Sequence, residues 1–117
     1  MSSTIGGFYE TWPAEFERMK ARAPELGRAF GALFQSTMKA GALSVCEKEL
    51  IALGVALAVR CEPCILLHVQ KSLGAGATSQ QILEAAGVAV MMQGAPTYTH
   101  LAQVVEALEH LEKKAPA

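Results

Sequence analysis

The stretch from Ser44 to Val59 constrains this chain most. Ser44-Val45-Cys46-Glu47 fits a capping box: the serine side chain accepts from an amide of the first turn and the glutamate reaches back to the serine amide. The helix it opens, about 45–59, is apolar on nearly every face from Leu50 onward. Such a helix belongs in the centre of a bundle. Thr78-Ser79-Gln80-Gln81 repeats the capping pattern and opens a second helix, about 79–92, that carries Ile82, Leu83, Val88, Val90, Met91 and Met92. Apolar residues make up 51% of the 117 and charged residues only 18%, so the apolar surface exceeds what one small domain hides. Self-association is therefore expected.

The remaining segments read as helices too, and no segment alternates as a strand would. Phe8, Trp12, Phe16 and Met19 recur at helical spacing, with Pro13 placed in the first turn of that helix. Leu26, Phe30, Leu33, Phe34 and Met38 form a second stripe that follows Pro24 and ends near Gly41. A turn is expected over Arg60 to Cys64, then a helix from about 62 to Leu73, ended by Gly74 and Gly76. Gly94 breaks the 79–92 helix, and Pro96 suits the first turn of a last helix with Leu101, Val104, Val105, Leu108 and Leu111 on one face. The first six and last five residues are expected to fray. The fold class is all-α: a compact antiparallel bundle of about five to six helices, one domain over 1–117, oligomerising.

Net charge is −1 and no basic stripe stands out, which argues against a nucleic-acid partner. The longest apolar run, Leu50 to Val59, is about half the length that spans a bilayer. The N-terminal residues lack the basic and apolar regions of a signal peptide. A cytoplasmic protein is the expectation. Three cysteines cannot form a fully paired framework, and in a reducing compartment a close pair is more often catalytic or metal-binding than structural.

The sharpest chemical signal is Cys61-Glu62-Pro63-Cys64-Ile65-Leu66-Leu67-His68. Residues three and four apart share a helix face, so Cys61, Cys64 and His68 line up at successive turns. Cys61 falls at the helix N-terminus, where free amides and the positive dipole end favour a thiolate. His68 is placed to take the proton from Cys64, and Cys61 can then resolve a sulfenic acid or mixed disulfide. Glu49 is a carboxylate in an otherwise apolar segment. The midpoint between 49 and 68 falls between Ala58 and Val59, just before the turn. In an antiparallel hairpin Glu49 and His68 therefore lie level and can meet, directly or through a water.

Other readings compete. A cysteine pair can be simple core packing. A metal site could use Cys61, Cys64, His68 and either Glu49 or Cys46, but a second cysteine pair is lacking. A thioredoxin fold needs a strand before the motif, and here a helix precedes it. Cys46 reads as an inert helix residue, His110 as solvated, Lys48 as solvent-facing, and His100 and Tyr98 as surface or interface residues, with lining the site from a neighbouring element the weaker alternative. Trp12 reads as packing. Gly74-Ala75-Gly76-Ala77 ends a helix and is no phosphate loop.

Glu49, the Cys61/Cys64 pair and His68, within Glu47-Lys48-Glu49-Leu50-Ile51-Ala52-Leu53 and the later Gly74-Ala75-Gly76-Ala77-Thr78 turn, resemble the alkylhydroperoxidase D-like proteins of the carboxymuconolactone decarboxylase superfamily. The resemblance runs from Glu47 to about Gly94. It implies an all-α fold that forms trimers or hexamers with the redox site near subunit contacts. It implies thiol-dependent peroxidase or disulfide reductase activity, of antioxidant, peroxiredoxin type. Cys64 would be the peroxidatic thiol, activated by His68 with Glu49 in a proton relay, and Cys61 the resolving thiol. The partners implied are a hydroperoxide or disulfide substrate and a dithiol reductant or redox partner protein; beyond the cysteine pair no cofactor or metal is called for. One departure stands out: peroxidase members carry a histidine between the cysteines, and here the residues are Glu62 and Pro63. The superfamily's lactone decarboxylases work without the cysteine pair, so decarboxylation is the weaker expectation. A redox-sensing, non-catalytic oligomer is the other alternative.

Overall fold

Seven helices follow one another along residues 4–114, the part of the chain that the computed structural model describes. They are α1 (Ile5–Arg22), α2 (Pro24–Met38), α3 (Val45–Ala58), α4 (Glu62–Gly74), α5 (Ser79–Gln93), the short α6 (Ala95–Tyr98) and α7 (Leu101–Lys114). No strand occurs among the described residues.

Both capping boxes form. Ser44 accepts from the Glu47 amide at 3.0 Å while Glu47 accepts from the Ser44 amide at 2.7 Å, and Thr78 and Gln81 make the same reciprocal pair. The Ser44 amide and hydroxyl hold the Glu47 carboxyl below the usual carboxylate range. At its other end α3 closes in a Schellman motif: the Cys61 amide donates to Ala56 and the Arg60 amide to Leu57, with Arg60 in the left-handed region at φ 57°. The same motif ends α4, where Gly76 takes the left-handed position at φ 100°. The first of these tight turns folds α4 back along α3 as an antiparallel hairpin, and the second leads on to α5.

That hairpin is the centre of the molecule. α3 packs against α4 and α5, and α4 packs against α7. Leu53 and Leu57 of α3, Ile65, Leu66 and Val69 of α4, Ile82 and Ala86 of α5, and Val104 and Ala107 of α7 are sealed from solvent. Each sealed leucine or isoleucine is worth about 1.5–3 kcal/mol relative to exposure. α1 lies against α7 and α2, and its Tyr9 hydroxyl donates to the Leu66 carbonyl of α4. Burial pushes the Tyr9 phenol up, so it stays a neutral donor.

Several local expectations are corrected. Pro13 sits in the interior of α1, not its first turn, because Thr4 caps the helix earlier by accepting from the Gly7 amide at 2.9 Å. Ile5 and Gly6 are helical and Ile5 is buried, so the N-terminal ordering begins sooner than expected; residues 1–3 and 115–117 lie outside the described part. Pro96 opens α6, and α7 starts afresh at Leu101. Between them the Thr99 hydroxyl donates to the Pro96 carbonyl, a local bond that competes with helix continuation. His110 is half-buried, its ring stacked on Tyr9 at 5.7 Å. A Cβ on Gly6 would meet that ring at 2.8 Å, so a side chain there would displace the imidazole. Lys48 is no free surface charge: its ammonium donates to the Thr37 and Lys39 carbonyls, both at 2.7 Å. The C-terminal carbonyls of α2 have no intrahelical partner and mark its negative dipole end, which draws the cation in.

Candidate active site

α4 begins where the Schellman turn of α3 ends. Cys61 is both the last donor of that turn and the N-cap of α4, with Glu62 and Pro63 opening the first turn. Pro63 costs nothing there, because its missing amide would have had no intrahelical partner. Cys64 follows on the same helix face, and the two sulfurs are joined in a disulfide with Cα atoms 5.3 Å apart. Both cysteines are half-buried, which leaves the pair within reach of solvent at the end of the hairpin.

One turn beyond Cys64, His68 meets Glu49 of α3. Its Nδ1 lies 2.8 Å from Glu49 Oε1, and the two side chains are only 16% and 7% exposed. Glu49 lies before the turn and His68 after it at similar sequence distances, and the tight closure of the hairpin at Ala58 to Cys61 brings them level. A carboxylate only accepts, so Nδ1 carries the proton and donates to Glu49. That tautomer leaves Nε2 as the basic nitrogen. The arrangement can orient an imidazole, hold its proton inventory and stabilise an imidazolium beside two thiols.

Two features around this pair carried no signal in the sequence pattern. Phe34 of α2 stacks over His68 with ring centroids 6.5 Å apart and a 17° interplanar angle, and Lys71 sets its ammonium 4.7 Å from the centre of the same phenyl ring. Phe34 was visible as one member of the α2 stripe, but the stripe could not say that this member alone covers the imidazole. The Lys48 bridge to the C-terminus of α2 holds that cover in place. Gln103 of α7 is the second. Its side-chain amide donates to the Glu62 carboxylate, and its carbonyl oxygen lies 3.1 Å from His100 Nδ1. His100 is thereby connected to the residue after Cys61 rather than standing as a separate surface group. Tyr98 is exposed and Cys46 is half-buried as a free thiol.

Among the described residues no group of three or more His, Cys, Asp and Glu side chains is arranged to hold a metal ion. With Cys61 and Cys64 bonded to each other, neither thiolate is free to ligate one in this state. No helix among the described residues is long and apolar enough to cross a membrane.

An all-helical bundle whose central hairpin carries a Cys-x-x-Cys disulfide beside a carboxylate–imidazole pair defines a class of small helical thiol proteins. The chain belongs to the carboxymuconolactone decarboxylase family, whose model matches residues 24–107. A family protein from Legionella pneumophila superposes with a TM-score of 0.86 at 34% identity, over 93% of this chain and 97% of that one. Another from Thermotoga maritima, described as a candidate for an antioxidative response, gives a TM-score of 0.70 at 31% identity over 74% and 89% of the two chains. In sequence, an uncharacterised protein encoded in the cox locus of Paracoccus denitrificans is 37% identical over 84 residues, 72% of this chain and 76% of the relative. The family and the all-α fold agree with the resemblance to alkylhydroperoxidase D-like proteins drawn from Glu49, Cys61, Cys64 and His68.

Proposed function

We propose that this protein is a thiol–disulfide oxidoreductase that reduces hydroperoxides, with Cys64 as the attacking thiol and Cys61 as the resolving thiol. The observation that carries this reading is the Cys61–Cys64 disulfide on the same helix as His68, whose other partner is the buried Glu49. In the dithiol form, His68 Nε2 takes the Cys64 proton. The thiolate attacks the distal peroxide oxygen, the O–O bond breaks, and the imidazolium returns the proton to the departing alkoxide, giving an alcohol and Cys64 sulfenic acid. Cys61 then attacks that sulfur, water leaves and the disulfide forms. An external dithiol, free or on a redox partner protein, restores both thiols and is itself oxidised. Glu49 holds His68 in the Nδ1–H tautomer and offsets its positive charge. Decarboxylation, which the family's name denotes, needs no thiol pair, and the pair is what favours the redox reading. The description of the Thermotoga maritima relative points the same way.

The reading also includes a homo-oligomer working in a reducing cytoplasm. Leu26, Phe30 and Leu33 of α2 and Val88, Met91 and Met92 of α5 are all more than half exposed in the single chain, which supports assembly. The test of function is peroxide consumption driven by dithiothreitol. Wild type is expected to turn over and Cys64→Ser to be inactive; equal rates in the two would overturn the assignment of the nucleophile.

A further inference from the structure

Glu62 lies between the two cysteines in sequence, as the first residue of α4. Its carboxylate could be read as a helix-end charge and nothing more, since an acidic residue favours a helix N-terminus. The hydrogen bonds around it say otherwise. A carboxylate only accepts, so Gln103 Nε2 must donate to it, and the Gln103 carbonyl oxygen is then the end that faces His100. His100 Nδ1 donates to that oxygen. Gln103 is thus fixed at both ends of its amide, and a long, half-buried side chain is pinned across from α4 to α7. The partner that does the pinning is neutral. Among the described residues the two ion pairs are Lys20–Glu17 and His68–Glu49, and Glu62 is in neither. Its negative charge is held in place without being cancelled.

We propose that Gln103 is a positioning residue that anchors Glu62 as a fixed negative charge beside Cys61, and that this anchored charge biases the Cys61–Cys64 couple toward the disulfide, making the protein a better reductant. The disulfide is neutral, whereas the reduced pair carries thiolate character at the helix N-terminus, so a nearby anion penalises only the reduced state. The proposal rests on the redox reading of the pair. It assigns Glu62 and Gln103 a role in setting which reductants can drive the cycle: only dithiols of sufficiently low potential can return the pair to its reduced form.

The test equilibrates the full-length protein at pH 8 with glutathione buffers of graded reduced-to-oxidised ratio, quenches with acid, alkylates free thiols and counts them by mass. In that exchange the protein disulfide takes two electrons from two glutathione thiols, which leave as oxidised glutathione. Glu62→Gln is expected to move the equilibrium toward the dithiol by about tenfold, which is ~30 mV for a two-electron couple. Gln103→Leu, which keeps the charge but frees it, is expected to move it part of the way in the same direction. In the Glu62→Gln background Gln103→Leu is expected to add nothing, since no charge is left to position. A purely structural Gln103 would lower thermal stability in both backgrounds and leave the equilibrium constant alone. If the wild-type pair exchanges with glutathione but all three variants share its equilibrium constant, the anchored charge is wrong while the redox reading stands. If the wild-type pair is reduced neither in these buffers nor in dithiothreitol buffers graded in the same way, the redox reading itself is overturned.

Discussion

His68 holds a single tautomer because a buried carboxylate sits on one of its nitrogens, and the proposed role of the ring as a base rests on that one contact. The contact makes a graded prediction. In steady-state peroxide turnover His68→Ala is expected to lose roughly 10²–10⁴-fold in kcat/KM, the usual contribution of a general base. Glu49→Gln keeps the volume and a hydrogen bond but not the charge, so its loss is expected to be smaller. Groups that act as a unit are not additive, and the double variant should be little worse than His68→Ala alone. Independent, multiplying losses would show that Glu49 acts elsewhere. At this scale the sequence was legible where spacing decides geometry: the i, i+4 relation of Cys64 and His68, and the similar distance of 49 and 68 from the turn. It was not legible where a contact depends on how far one helix leans on another. Gln103 is one of several polar residues on α7, and nothing in its own neighbourhood in sequence marks Glu62 of α4 as its partner.

Among the elements, the hairpin between α3 and α4 carries both the packing and the chemistry, and its turn holds an unfavourable residue. The left-handed position that closes α4 is Gly76, whereas the one that closes α3 is Arg60. A non-glycine residue there costs about 1 kcal/mol through the clash of its Cβ with the backbone. Arg60→Gly is therefore expected to stabilise the protein by roughly 0.5–1 kcal/mol, read as a higher urea midpoint with an unchanged m-value. A lower midpoint would mean that the arginine side chain makes up for its own backbone strain. The capping boxes at Ser44 and Thr78 were readable because each is a local exchange of two hydrogen bonds within four residues. The start of α1 was misplaced for a related reason: Thr4 lacks a glutamate or glutamine three residues on, so the proline drew attention from the true cap. The split between α6 and α7 accompanies a hydroxyl-to-carbonyl bond from Thr99 to Pro96 that no sequence period announces.

For the whole molecule, the apolar composition has to be reconciled with a core that leaves much of it out. α2 contributes no buried residue, although Leu26, Phe30 and Leu33 recur along one face; Ile51 and Val55 stand exposed on α3 with Val59 just after it, and Val88, Met91 and Met92 on α5. The stripe on α2 was legible as amphipathic, but periodicity alone does not say whether an apolar face meets the chain's own core or another copy. Three exposed apolar faces on a chain of 12.4 kDa make a monomer prone to aggregate, whereas the proposed symmetric assembly would cover them. Light scattering on the eluting protein at micromolar concentration is expected to give a mass of two or more whole multiples of 12.4 kDa. One charge placed on each face in turn identifies which of them associate. Leu33→Glu, Val55→Glu and Met91→Glu all lie at positions more than half exposed in the single chain, so each should leave the monomer folded by circular dichroism. A variant whose face is covered should fall to a smaller species, because burying an unpaired carboxylate costs several kcal/mol. The α2 variant is the most informative, since the same helix holds Phe34 over His68. If assembly braces α2, Leu33→Glu should reduce both the mass and the peroxide turnover, while a smaller species made through Met91→Glu keeps its turnover. A wild-type monomer that stays soluble and active at these concentrations would refute assembly and leave the three faces without a physical reason.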